Sequence, residues 1–237
     1  MLQRHEIHID KPFSFEAGGR LEEMTLVYHT SPRDYKEGEK VVWICHALTG
    51  NSNPEDWWPT MVGENQLFDP EKVYVVCVSM LCSPYGKCGP ATVNPATGKP
   101  YFFDFPRTSV RDIVNANILV RKHLGIERID LMLGPSIGGF QTLEWVIMEP
   151  EVVSQAVFLA TAVRGTPYMT AFNESQRMAL LADPTFLEAK DIHGGEMGLK
   201  CARSIALISY RTFEGYNFTQ QENDDDTLFA DRAASYQ

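Results

Sequence analysis

The chain has 237 residues, of which 44% are hydrophobic and 22% charged, and its formal net charge is −10. This composition excludes a disordered, collagen-like or disulfide-stapled chain and fits one large domain or one domain with an insertion. The acidic balance argues against binding to nucleic acid or anionic membranes. No apolar run approaches the roughly 20 residues of a bilayer span, and the chain start lacks an apolar signal core. We therefore predict a soluble, cytoplasmic protein with no nucleic-acid or membrane partner.

The five cysteines are an odd number without a C-x-x-C pair. Cys45 and Cys77 lie inside apolar, strand-like runs, so we interpret the cysteines as reduced packing residues. Cys82 and Cys88 flank a loop rich in glycine and proline, but no nearby histidine completes a zinc site. We predict no metal.

Short apolar runs separated by turn residues open the sequence, at residues 7–9, 24–28 and 41–45. They predict three strands in an antiparallel arrangement. Residues 73–78 form an apolar run rich in valine, typical of a strand that is buried on both faces of a parallel sheet. This run predicts a central strand.

A regular alternation of helix and strand follows. Apolar residues at helical spacing predict a helix capped by Thr108 or Ser109 and stopped by Gly125. Beyond it lie a strand, a helix and a strand, at residues 129–133, 138–148 and 156–160. This order predicts right-handed crossovers and an α/β fold, in which helices flank a mostly parallel sheet.

The pattern changes after Arg164. Helical segments at residues 169–181 and 197–210 precede an acidic stretch at residues 222–226, with no further strong strand signal. We interpret the change as the end of a core domain and the start of a helical lid insertion. The predicted domains are residues 1–164 and 165–237.

The residues Gly134-Pro135-Ser136-Ile137-Gly138-Gly139 stand between a predicted strand and a predicted helix. That is the context of a nucleophile elbow, a strained turn that exposes a serine hydroxyl at a helix N-terminus. Ser136 is the candidate nucleophile. The alternative is a tight turn with an incidental serine.

Residues 43–50 end an earlier strand, where folds with such an elbow place a loop that donates to an oxyanion. We predict that the backbone N–H groups of Leu48 and Ile137 form the oxyanion hole. His46 is interpreted as a scaffold residue at the strand end rather than as a catalytic base.

Three motifs together closely resemble homoserine O-acetyltransferases, which have the α/β-hydrolase fold. They are His46-Ala47-Leu48-Thr49-Gly50, the loop with Asn94-Pro95-Ala96-Thr97-Gly98-Lys99-Pro100-Tyr101, and the elbow followed by Leu143-Glu144-Trp145. The similarity continues through Ser209-Tyr210-Arg211 to the last residues. It covers the whole chain and matches the front part of the family's domain.

The resemblance implies a ping-pong acyl transfer. Ser136 would take the acetyl group from acetyl-CoA, and the hydroxyl of L-homoserine would then attack the acyl-enzyme. This reaction would serve methionine biosynthesis. Acetyl-CoA is a co-substrate here, and no bound cofactor is implied. By similarity, Arg203 would hold the amino-acid carboxylate with Tyr210 beside it. Arg203 could instead be a solvated helix charge, and Tyr210 a packing residue.

The sequence departs from the family in its catalytic base. Enzymes with this elbow place an acid and then a histidine after the serine. Only His193 follows Ser136, and it matches no family motif, so we reject it as the base. We therefore expect a chain without the family's last strands, whose exposed sheet edge predicts a homodimer. Two alternatives stay open: a serine esterase or thioesterase, and a truncated, catalytically impaired chain.

Overall fold

A computed structural model describes residues 1–220 of the chain. The chain divides into two compact units, Met1–Val163 and a second unit that begins at Arg164. The acidic stretch at residues 222–226 lies outside the described residues. Within residues 1–220, every helix is too short or too polar to cross a lipid bilayer.

Strands and helices alternate in the order expected of an α/β fold. The strands are β1 (Gln3–Ile9), β2 (Phe13–Ser14), β3 (Arg20–Leu21), β4 (Met24–Thr30), β5 (Val41–Ile44), β6 (Tyr74–Val78), β7 (Val93–Asn94), β8 (Lys99–Pro100), β9 (Leu131–Pro135) and β10 (Ala156–Leu159). The helices of the first unit are α1 (Pro54–Trp57), α2 (Val110–His123) and α3 (Ile137–Met148), with a 3-10 turn at Phe102–Asp104. The second unit contains α4 (Pro167–Ala182), α5 (Glu196–Ser209) and α6 (Phe213–Thr219).

Six strands form the main sheet, in the order β1-β4-β6-β5-β9-β10. The last four are mutually parallel, whereas β1 pairs antiparallel with β4, and β4 pairs antiparallel with β6. The predicted mostly parallel sheet with an interior strand β6 is confirmed. The predicted antiparallel place of residues 41–45 is wrong. The connection through α1 returns the chain to the end of the sheet at which β5 begins, so β6 runs parallel to β5.

Buried side chains hold the elements of this sheet in place. Val75, Val76 and Cys77 of β6 are fully buried. Trp43 of β5 packs edge-on against Trp145 of α3, with ring centroids 5.1 Å apart, and both side chains are fully buried. Because each indole removes a large apolar area from water, this pair fixes α3 against the middle of the sheet.

Helix α2 begins and ends where the sequence predicts. The Ser109 side chain accepts a hydrogen bond from the Asp112 amide at 3.2 Å, and the Asp112 carboxylate accepts one from the Ser109 amide at 2.8 Å. This reciprocal pair satisfies two amides that the helix leaves without intrahelical partners. Gly125 follows with φ 68°, a conformation in which glycine is favoured.

The two edges of the sheet differ in chemistry. Edge strand β1 carries Arg4 and Glu6, which form an ion pair. Edge strand β10 has no charged residue, and its Val157 and Phe158 side chains are 38% and 44% exposed. Charged residues on an edge strand discourage pairing with another chain. The predicted homodimer stays a prediction, and β10 is the edge that lacks such protection.

The described part of the second unit, residues 164–220, consists of helices joined by turns, and no strand occurs in it. The predicted helices at residues 169–181 and 197–210 are confirmed as α4 and α5, whereas α6 is not predicted. Asp183, at the end of α4, accepts a hydrogen bond from the Gly198 amide of α5 at 2.9 Å. A Cβ atom at Gly198 would lie 2.8 Å from the Ala179 carbonyl oxygen, so the glycine allows α5 to approach α4 closely.

The five cysteines are free thiols. Cys45, Cys77 and Cys88 are buried, and burial raises the pKa of the Cys45 and Cys88 thiols to about 12. These three are uncharged packing residues, as the sequence predicts. Cys82 and Cys201 are exposed and do not fit that interpretation.

Candidate active site

Ser136 stands at the turn between β9 and α3. Its backbone has φ 55° and ψ −121°, a region that non-glycine residues rarely adopt. Ala160, at the carboxyl end of the neighbouring strand β10, is likewise strained at φ 48°. A strained backbone persists only where the surrounding structure holds it in place. Such residues are concentrated at functional sites. The side chain of Ser136 is exposed and does not cap α3, so its hydroxyl is available above the sheet edge.

Glycines allow the chain to make this turn. A Cβ atom at Gly138 would collide with the Cys45 carbonyl, and one at Gly134 would collide with the Gly138 carbonyl and the Thr142 hydroxyl. Apart from the Thr142 hydroxyl, these obstacles are backbone atoms, which cannot rotate away. The first turn of α3 therefore approaches the end of β5 at a distance that only glycine permits.

Two backbone amides beside the turn have no partner within the described residues. Ile137 is the first residue of α3, so its N–H has no intrahelical acceptor. Leu48 is the second residue of a turn that the Gly50 amide closes on the Ala47 carbonyl at 2.9 Å. No hydrogen bond from the Leu48 amide is present in residues 1–220. Both amides are thus free to donate to a ligand.

Strand pairing brings the two amides to the same edge of the sheet. β5 and β9 are parallel neighbours, and the Cys45 amide donates to the Leu133 carbonyl at 2.8 Å. The turn at Ala47 and the elbow at Ser136 follow these strands directly. Oxyanion stabilisation needs two such donors next to the nucleophile. The structure thus places three of the predicted site residues, Ser136, Leu48 and Ile137, at the carboxyl ends of the neighbouring strands β5 and β9.

His46 is fully buried at the end of β5. The Met80 amide donates to its Nε2 at 3.0 Å, and its Nδ1 lies 2.8 Å from the Ala47 carbonyl oxygen. Burial lowers the pKa of the imidazole, although the Ala47 carbonyl opposes that shift. Both ring nitrogens are engaged by the backbone, which agrees with a scaffold role and leaves neither nitrogen to deprotonate Ser136.

Arg203 and Tyr210 lie in the second unit. Arg203 is a half-buried residue of α5, and Tyr210 is the C-cap of that helix with its side chain 67% exposed. His193 is an exposed residue before α5, 3.9 Å from the Glu196 carboxylate. Within residues 1–220, no histidine forms a hydrogen bond with the Ser136 side chain. The described residues thus bring together an exposed serine hydroxyl and two unpartnered amides, and identify no general base.

Sequence reasoning missed two groups that support the site. The Gln141 side chain on α3 is buried and donates to the His46 carbonyl at 3.5 Å. The Met80 amide reaches His46 from the loop after β6. A buried polar residue on the apolar face of α3 was a readable signal for Gln141, because such residues usually have a backbone partner.

Three partly or fully buried histidines predict acid sensitivity. Burial lowers the pKa of His5, His29 and His46 from the ordinary value of 6.5. Since the unfolded chain then binds protons more readily than the folded one, the free energy of unfolding should fall as the pH drops below about 7 toward 5.

Urea titrations across that pH range measure this effect. His29, whose Nδ1 lies 2.9 Å from the Ser52 hydroxyl, provides a control, because H29N keeps a polar side chain but removes the titrating group. We expect a shallower pH dependence in H29N. A urea midpoint that is constant or that rises on acidification would contradict the prediction.

Comparison with known proteins gives a consistent result. A family model described as the alpha/beta hydrolase fold matches residues 40–199. Homoserine O-acetyltransferase from Cyclobacterium marinum is 37% identical over 222 residues, which cover 92% of this chain and 63% of that protein. The enzyme of the same name from Chlorobaculum parvum is 36% identical, with 95% and 65% covered. The chain thus spans less than two thirds of the length of these curated relatives, and the predicted resemblance is confirmed over that part.

Solved structures share the architecture. A homoserine O-acetyltransferase from Bacillus anthracis superposes with a TM-score of 0.85 at 22% identity, covering 95% of this chain and 65% of that one. Esterase E22 superposes with a TM-score of 0.83 at 21% identity, covering 96% and 67%. At this level of identity, both similarities concern the fold, and they confirm the predicted α/β architecture.

Proposed function

This chain belongs to the α/β-hydrolase fold family, and from that premise we propose that it is an acyltransferase acting through Ser136. The proposed reaction moves the acetyl group of acetyl-CoA to the hydroxyl of L-homoserine and gives O-acetylhomoserine, a step toward methionine. The single observation that supports it best is the strained Ser136 next to the unpartnered Leu48 and Ile137 amides. The acceptor and donor rest on similarity to relatives named homoserine O-acetyltransferase.

The chemistry proceeds in two half-reactions. The Ser136 Oγ attacks the thioester carbonyl, so that an O–C bond forms, the C–S bond breaks and coenzyme A leaves as the thiol. The homoserine hydroxyl then attacks the acyl-serine, so that a new O–C bond forms in the product ester, the bond between Ser136 Oγ and the acyl carbon breaks, and the proton that homoserine loses restores the Ser136 hydroxyl. In each tetrahedral intermediate, the Leu48 and Ile137 amides donate to the oxyanion. By the same similarity, Arg203 is proposed to bind the homoserine carboxylate, for which a guanidinium fork is suited, with Tyr210 beside it.

Thiol release from acetyl-CoA, followed with and without L-homoserine, tests the proposal. We expect release that depends on homoserine, together with formation of O-acetylhomoserine. Succinyl-CoA and L-serine serve as the competing donor and acceptor. Release that is independent of any acceptor would identify a thioesterase or esterase instead. Absence of release, together with absence of Ser136 labelling by a fluorophosphonate, would indicate a non-catalytic chain.

Substitution of Leu48 by proline removes its amide N–H at a turn position. Leu48 is the second residue of the Ala47–Gly50 turn, a position at which proline is favoured in turns of types I and II. Because proline has no N–H, L48P should lose one oxyanion donor and lower kcat by a factor of about 10²–10³.

The matched control is L48A, which keeps the amide and shortens only an exposed side chain. Steady-state kinetics of both variants provide the comparison. If L48P and L48A have kcat values within about threefold of each other, the Leu48 amide does not bind the oxyanion.

A further inference from the structure

The imidazole of His46 has a defined tautomer. A backbone N–H can only donate, so the Nε2 atom that faces the Met80 amide at 3.0 Å has to accept. A neutral imidazole carries its proton on the other nitrogen. The Nδ1–H of His46 therefore donates to the Ala47 carbonyl at 2.8 Å. The ring is neutral, since protonation of Nε2 would set two donors against each other at a fully buried position.

The Ala47 carbonyl is held by two donors. The second is the Gly50 amide, at 2.9 Å, which closes the turn. The Ala47 carbonyl and the Leu48 N–H belong to one planar peptide group, and the chain has no cis peptide within residues 1–220. In a trans peptide the C=O and N–H bonds point in opposite directions. Whatever fixes the Ala47 oxygen therefore also fixes the direction of the Leu48 N–H.

We propose that His46 is a positioning residue that aims the Leu48 N–H at the oxyanion formed on Ser136. This inference rests on the proposed function of the Leu48 amide. His46 makes three hydrogen bonds. Its ring donates to the Ala47 carbonyl and accepts from the Met80 amide, and its backbone carbonyl accepts from the side chain of Gln141 on α3, the helix that follows Ser136. These bonds connect the Ala47–Gly50 turn to the end of β6 and to α3.

Two substitutions at His46 separate positioning from stability. The Asn amide nitrogen reaches the position of Nδ1, so H46N keeps a donor for the Ala47 carbonyl and leaves the Met80 amide without an acceptor. The Gln carbonyl oxygen reaches the position of Nε2, so H46Q keeps the acceptor for Met80 and leaves the Ala47 carbonyl with one donor fewer. Each variant loses one buried hydrogen bond, so both are expected to have similarly lowered urea midpoints.

The rate of acyl-enzyme formation should distinguish the two variants. With p-nitrophenyl acetate as the acyl donor, we expect H46Q to show a burst rate about 10-fold lower than the wild-type protein, with little change in the concentration of half-saturation. H46N should restore the rate to within about threefold of wild type. Equal rates for H46N and H46Q, or a slower H46N, would overturn the positioning role.

Nuclear magnetic resonance gives a readout that does not depend on activity. In 15N spectra of the wild-type chain, His46 should be protonated at Nδ1 and unprotonated at Nε2. The Leu48 amide resonance should shift or broaden in H46Q and stay near its wild-type position in H46N. A wild-type chain without homoserine-dependent thiol release and without fluorophosphonate labelling would refute the proposed function, while these spectra still decide whether His46 orients the amide. An Nε2–H tautomer, or a Leu48 resonance equally perturbed in both variants, would overturn the inference.

Discussion

Replacing Ser136 with alanine should lower the rate of acetyl transfer by at least about 10⁴-fold, because the substitution removes the oxygen that carries the acyl group in the proposed mechanism. The Leu48 and Ile137 amides remain in S136A and can still polarise a bound thioester. They cannot form a covalent intermediate, so the burst with an activated ester should disappear. The same variant should also lose covalent labelling by a fluorophosphonate.

The matched control for this variant is S154A. Ser154 is another exposed serine, but it precedes β10 and therefore lies at the amino end of a parallel strand, the opposite sheet edge from Ser136. We expect S154A to retain wild-type activity and labelling. Full labelling of S136A by the fluorophosphonate would show that a different residue is the nucleophile.

The second large effect concerns Gly138. A Cβ atom at this position would lie 2.8 Å from the Cys45 carbonyl carbon and closer still to its oxygen, and 3.2 Å from the His46 carbonyl oxygen. These are backbone atoms of a buried strand end, so they cannot move away without disturbing β5. We expect G138A to lower the free energy of unfolding by about 3 kcal/mol and to impair acyl transfer in the molecules that fold.

A less crowded glycine in the same unit provides the comparison. At Gly86 a Cβ atom would meet Ser79 Cβ at 3.3 Å, a contact that a small shift relieves. Urea denaturation of both variants should show G86A within about 1 kcal/mol of wild type and G138A well below it. If G86A and G138A have the same urea midpoint, the close approach of α3 to β5 does not require glycine at position 138 for stability.

Local sequence signals predict most of the framework and the strained turn at Ser136. The β6 run, the Ser109 cap with the Gly125 stop, and the elbow at Ser136 each depend on residues close together in the chain, so their patterns can be read directly. The route of the chain between strands is not encoded locally. For that reason the direction of β5 was predicted wrongly, and the two short strands within the loop after β6 were not predicted.

The surroundings of Ser136 are harder to predict than the turn that carries it. The place of Leu48 follows from a motif, but the freedom of its amide depends on a turn closed by Gly50. The tautomer of His46 depends on the Met80 amide, which comes from another strand end. Such contacts between distant segments are decided by the packing of the sheet, and no spacing within one segment reveals them.

Mass spectrometry of the acid-quenched protein after brief exposure to acetyl-CoA tests the central claim most directly. The account predicts one added acetyl group on the peptide that contains Ser136, and its loss when L-homoserine is present before the quench. An acetyl group located on any other residue, or one on Ser136 that homoserine does not remove, would contradict it.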